Sequence, residues 1–194
     1  AAYNTACVTR DAMLERGHTL KRMEEQLEGY GGGIRFVMDK AEAGALRGEV
    51  CGPVSKLIHI QQKYVTAIET ALGPSIQHVV VDSDDTAKEC IRLLRENKAG
   101  RATFLPIATI RPSAVPEDVR AAAKQPGYVD RADRLTECDD RYRPIVEWLL
   151  SRTVIFDTLD HANAAARALQ RRVRIVTLEG DIMNVGGSMT GGAN

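Results

Sequence analysis

The chain has 194 residues, 44% of them hydrophobic and 27% charged, enough for one sizeable core or two small lobes sharing one. Lys plus Arg and Asp plus Glu both number 26, so overall charge points to neither a nucleic-acid nor a membrane partner. Cys7, Cys51, Cys90 and Cys138 form no CxxC pair, and no apolar run approaches the roughly 20 residues that span a bilayer. A disulfide framework and a membrane role are set aside, and a reducing, cytoplasmic compartment is expected.

Residues 1 to 30 read as helix: Met13, Leu20 and Leu27 recur every seven positions, with Met23 and Tyr30 three beyond the last two. That seam fits either a coiled-coil arm or a single amphipathic helix, and it needs a partner. Gly29 and Gly31-Gly32-Gly33 interrupt it; Ile34, Val37, Met38 and Ala41 predict a short helical junction over 31–44, ended by Gly44. A globular lobe is predicted over 45–107. Its expected order is an irregular strand from Val50 to Ile60, a helix from Gln61 to Leu72, a buried strand from Ile76 to Val81, a helix, and a strand from Ala102 to Ile107. The second helix is expected to start on Asp84 or Asp85 and to turn Ala87, Cys90, Ile91 and Leu94 inward. Residues 108–134, with Pro112, Pro116 and Pro126 around a short helical pattern from Glu117 to Lys124, read as a connection.

The second lobe, 135–194, repeats the first. Val79-Val80-Val81-Asp82 matches Val154-Ile155-Phe156-Asp157, and Asp85, Ala87 and Leu94 recur as Asp160, Ala162 and Leu169, each 75 positions on (79 to 154, 94 to 169). Tyr64 to Leu72 matches Tyr142 to Leu150 at 78 (64 to 142), a three-residue gap. The strands starting at Arg101 and Arg174 also correspond. An internal duplication follows, with each half helix–strand–helix–strand, and with it an α/β (α+β) body of two pseudo-repeated lobes suited to closed dimers.

No reacting constellation emerges. Gly186-Gly187-Ser188-Met189-Thr190-Gly191-Gly192 lacks the lysine of a P-loop, and Thr190 spoils a G-x-S-x-G elbow. His18, His59, His78 and His161 are scattered, with Asp160 the expected cap beside His161; Glu179, Asp181, Asp139 and Asp140 show no pairing rule. No GxGxxG follows a strand. Thus no catalytic, cofactor or metal residue is expected. Arg167, Arg171, Arg172 and Arg174, with Arg92, Arg95, Lys98 and Arg101 in the matching stretch, are either solvated helix-end charges or phosphate contacts. At 5% of the chain, aromatics do not interleave with them, which favours duplex backbone over stacked single strands.

Gly48-Glu49-Val50-Cys51-Gly52-Pro53-Val54, Tyr64 with Ala67-Ile68-Glu69 and Ala71-Leu72-Gly73, and Gly100-Arg101-Ala102-Thr103-Phe104-Leu105-Pro106 together resemble the hinge domain of bacterial-type SMC (structural maintenance of chromosomes) proteins. Thr177-Leu178-Glu179-Gly180-Asp181 running into the glycine-rich end extends the resemblance over about residues 30 to 194. One departure stands out: the family's second lobe usually opens Gly-x-x-Gly and an apolar pair, whereas Gly127 here precedes Asp130.

The resemblance implies a two-lobed homodimerisation domain between two antiparallel coiled-coil arms that end in ATPase heads. Residues 1–30 would be a stub of the first arm. ATP, Mg²⁺ and accessory condensin subunits would belong to the heads, and the whole protein would be nucleoid-associated. Gly186, Gly187, Ser188, Met189, Thr190, Gly191 and Gly192 are then expected to meet Arg101 and Thr103 of a second copy. Arg167, Arg171, Arg172, Arg174 and Lys98 are the candidate contacts to double- or single-stranded DNA.

Overall fold

The computed structural model describes residues 30–193, so the coiled-coil reading of residues 1–29 lies outside the described residues. The first helix, α1 (Gly32–Glu42), buries Ile34 and Val37 and closes with Gly44 N–H to the Ala41 carbonyl and Ala45 N–H to that of Lys40. Those two bonds satisfy carbonyls that the helix end would otherwise orphan.

The stretch predicted as one strand from Val50 to Ile60 is instead strand β1 (Val50–Pro53), a single-turn helix α2 (Val54–Leu57) and strand β2 (Ile58–Ile60). Pro53 explains the break, because its fixed φ suits the residue entering a helix and it has no N–H to continue a ladder. Helix α3 (Val65–Leu72), strand β3 (Val79–Val81), helix α4 (Asp84–Glu96) and strand β4 (Phe104–Pro106) complete the first lobe. Ser83, not Asp84 or Asp85, caps α4: its Oγ accepts from the Thr86 N–H, leaving both aspartates in the first turn where the helix dipole favours them. Ile91 points away from the core and is 43% exposed, while Ala87, Cys90 and Leu94 are buried. The inward stripe is narrower than predicted.

The second lobe runs through strand β5 (Tyr128–Arg131), strand β6 (Thr136–Cys138), helix α6 (Arg143–Leu150), strand β7 (Thr153–Phe156), helix α7 (Leu159–Ala168) and strand β8 (Arg174–Thr177). Strands β9 (Ile182–Met183) and β10 (Met189–Thr190) follow; helix α5 (Glu117–Ala121), ahead of β5 in the chain, packs on this lobe through Val119. Residues 108–134 are therefore not only a connection, since β5 is an edge strand of the second sheet. Thr158, not Asp160, caps α7, its hydroxyl accepting from the His161 N–H.

The sheets read β1-β3-β4 and β10-β9-β8-β7-β5, and β2 pairs with β6. Their registers reproduce the duplication bond by bond. Val50, Gly52 and Pro53 face Val81, Val80 and Val79, just as Tyr128, Asp130 and Arg131 face Phe156, Ile155 and Val154, with the same irregularity after the first pair. In parallel fashion, Val79 to Val81 face Phe104 to Pro106 as Val154 to Phe156 face Ile175 to Thr177. The offset between lobes is thus 78 for β1 and β5 (50 to 128), 75 for β3 and β7 (79 to 154), and 71 for β4 and β8 (104 to 175). Helix α7, with 10 residues against 13 in α4, accounts for most of the last change.

Antiparallel pairing joins the lobes: Ile58 faces Cys138, His59 faces Glu137 and Ile60 faces Thr136. His59 and Glu137 are equivalent positions (59 to 137, again 78), so a pseudo-two-fold axis passes between them. One core crosses that axis, made of Ile68 and Val80 from the first lobe with Ile145, Leu150, Ile155 and Val176 from the second. Smaller clusters under α1 and α4, and under α7, belong to one lobe each.

Candidate dimerisation edges

Departures from the pseudo-symmetry locate the site. In the second lobe the outer edge of β8 is covered by β9, and β9 by β10. The first lobe has no such strands. Its equivalent of β8 is β4, the end strand of its sheet, and no strand among the described residues pairs with that edge. The Thr103 carbonyl and the Ile107 N–H both bond to β3. Strand alternation then turns the backbone N–H and carbonyl of Phe104 outward, while the Pro106 carbonyl accepts from the Thr109 and Ile110 N–H in the turn that follows. Proline fits there, because an edge position has no ladder bond for it to break. Thr103 and Arg101 are exposed at the entry to this strand.

The opposite edge is built by the carboxy-terminal glycine stretch, which is a hairpin rather than a loop. Its approach is a turn in which Thr177 Oγ1 donates to Asp181 Oδ2 at 2.9 Å and accepts from the Asp181 N–H at 3.0 Å. Met183 then faces Met189, and Ile182 faces Thr190. Asn184 closes the connecting loop, its N–H donating to the Ser188 carbonyl and its Nδ2 to Ser188 Oγ. Gly186 and Gly187, at φ of 93° and 112°, take the left-handed backbone that this loop needs. A Cβ on Gly191 would stand 2.5 Å from Asp181 Oδ1. These glycines have reasons within their own chain. Around them the surface is open: Val185 is 62% and Met189 57% exposed, and β10 leaves one edge unpaired among the described residues.

The predicted DNA residues separate into different roles. Lys98, Arg167, Arg171 and Arg172 are exposed. Arg171 lies on the hairpin, since its carbonyl accepts from the Gly186 N–H and its Cδ is 3.0 Å from where a Gly187 Cβ would stand. Arg174 is turned inward. Its Nη1 donates to the Ala71 carbonyl at 2.8 Å and to Thr153 Oγ1, placing a cation at the carboxyl end of α3 in the other lobe, and burial pulls its guanidinium below the ordinary value. Sequence reasoning grouped it with its neighbours; only the register of β8 shows where it points.

A second inter-lobe tie is the Arg141 guanidinium, held in a fork by both carboxylate oxygens of Glu49 at 2.9 and 2.7 Å; this bond keeps Glu49 below the usual carboxylate range. Equivalent pairs also hold each sheet to the helix above it. The Thr86 hydroxyl on Asp82 and the His161 ring on Asp157 stand 75 positions apart (82 to 157) and hold both carboxylates low. Among the described residues no group of three or more His, Cys, Asp or Glu could hold a metal ion, and no helix is long and apolar enough to cross a membrane.

Two lobes related by an internal axis, one ending in an exposed hairpin and the other in a bare strand edge, define a hinge-type α+β domain. Residues 47–166 match the family model described as "SMC proteins Flexible Hinge Domain". The chromosome partition protein Smc of Bacillus subtilis (strain 168) is 41% identical over 182 residues, which is 93% of this chain and 15% of that protein. That of Halothermothrix orenii is 40% identical over 174 residues, 90% of this chain and 14% of the relative. Among solved structures, an asymmetric dimer of the Geobacillus stearothermophilus SMC hinge domain matches with a TM-score of 0.83 and 38% identity, over 98% of this chain and 77% of the other. The Pyrococcus furiosus SMC hinge domain gives 0.68 and 31%, over 90% and 87%. The chain belongs to the SMC hinge domain family and spans about a seventh of the length of the curated relatives it matches.

Proposed function

We propose that this chain is a homodimerisation hinge, in which the β10 edge of one protomer pairs with the β4 edge of a second. A two-fold axis makes the same junction twice and closes the assembly. The observation that carries this reading is the vacancy beside β4, at the place β9 takes beside β8 in the other lobe. Backbone bonding across the junction would supply affinity, and the exposed Val185 and Met189 the apolar contact around it. A relative supports dimerisation as such, since one of the matching hinge structures is itself a dimer.

Met189→Glu is the direct test. Its side chain is free in the monomer, so the variant should fold normally and dimerise at least about tenfold more weakly, about 1.4 kcal/mol. An unchanged dimer would exclude the β10 edge. A substitution at Gly191 is less informative, because it strikes Asp181 within the same chain.

In the longer protein the hinge would join two coiled-coil arms of a chromosome-partition ATPase, with ATP, Mg²⁺ and accessory subunits at distant heads. DNA would be a partner of that assembly. Any contact through this domain would fall to Arg167, Arg171, Arg172 and Lys98, the exposed members of the predicted set, and would show as affinity that falls steeply with salt.

A further inference from the structure

The unpaired β4 edge is not held by its own sheet alone. Helix α1 meets the backbone at the entry to β4 with no side chain between them. A Cβ on Gly33 would stand 2.6 Å from the Arg101 carbonyl oxygen and 3.0 Å from the Arg101 carbonyl carbon and nitrogen. From the other side, a Cβ on Gly100 would stand 3.2 Å from the Gly33 nitrogen. Gly32, one residue earlier, has room, with the Ala99 carbonyl oxygen 3.8 Å from its Cβ position. Further along α1, Ile34 and Val37 lie in the clusters that Ala102 and Phe104 pack against. Tyr30, just before α1, is buried in the same place, its hydroxyl bonded to Ser55 on α2.

We propose that Gly33 and Gly100 are positioning residues for dimerisation: their backbone contact seats α1 as a strut that holds the β4 edge where a partner strand can pair. The inference rests on the dimer reading above. Strand pairing requires several backbone groups to be aligned at once, so displacing the entry of a three-residue edge strand misaligns most of its outward groups.

The test compares Gly33→Ala with Gly32→Ala in the 194-residue chain. Both replace a glycine in the first turn of α1 by alanine and shift helix propensity in the same direction, but only the first meets backbone. Dimer Kd by analytical ultracentrifugation should rise about tenfold or more for Gly33→Ala and stay within about twofold of wild type for Gly32→Ala. Val119→Ala, a core deletion in a cluster with no residue of α1 or β4, controls for destabilisation and should raise Kd less than Gly33→Ala does. Ile34→Ala loosens the same strut without a clash and should weaken the dimer about threefold or more even if Gly33→Ala does not fold. Wild-type Kd in Gly33→Ala, or in Ile34→Ala where the former is unfolded, overturns the strut and leaves the dimer reading standing. A monomeric wild type removes the dimer reading itself.

Discussion

Ile68→Ala probes whether the lobes share one core. Ile68 lies on α3 of the first lobe, is 0% exposed and belongs to a cluster whose other large members include Ile145, Leu150 and Ile155 of the second. The substitution removes three carbons, about 2.4 kcal/mol at about 0.8 per methylene. A cavity term adds to this, because helices anchored in two lobes cannot collapse freely onto the gap. About 3 to 4 kcal/mol is expected in total. For a chain of this size that lowers the thermal midpoint by roughly 10 °C. Calorimetry at fixed protein concentration, so that dimer linkage stays constant, should show one transition moving down intact. Two transitions, with the second lobe melting at its original temperature, would refute a shared core.

Other expectations follow from individual contacts. Asp82 and Asp157 are held below the ordinary carboxylate range by Thr86 and His161, so their contribution to stability is full above about pH 4 and is lost as pH falls through their depressed values. The urea midpoint should therefore drop as pH falls below about 4, and Thr86→Val should return the Asp82 titration, followed by NMR, toward an ordinary carboxylate; a Thr86→Val profile matching wild type would remove the hydroxyl as the cause. Burial pushes the thiols of Cys51 and Cys138 up, and that of Cys90 to about 11, so all three should react slowly with a thiol reagent in the native protein and fully in urea. Arg174→Ala should melt earlier while leaving the salt dependence of any DNA binding unchanged, because its guanidinium serves α3. A shallower salt slope with normal melting would return Arg174 to the nucleic-acid surface.

The duplication was readable because buried parallel strands tolerate few residue types: Val79 to Val81 and Val154 to Phe156 are buried on both faces and keep their apolar character. Strand β5 is not legible in the sequence, for the opposite reason. Tyr128–Arg131 is a half-buried edge carrying Asp130 and Arg131, and its place is fixed by pairing with β7 rather than by its own pattern. The caps lie one or two residues before the expected aspartates, because Ser83 and Asp84, or Thr158 and Asp160, carry comparable acceptors and only the backbone angles choose between them. For the site, the glycine-rich end announced an unusual backbone, but not that most of its glycines serve the hairpin itself. The bare edge of β4 could not be read from sequence, since it is defined by a strand that the first lobe lacks.

Whether two copies close through unlike edges is decided by sedimentation equilibrium on the 194-residue chain. At micromolar concentration the particle should have twice the 21.2 kDa chain mass and shift toward monomer in Met189→Glu. A wild-type protein that sediments at the mass of one chain throughout would contradict that closure.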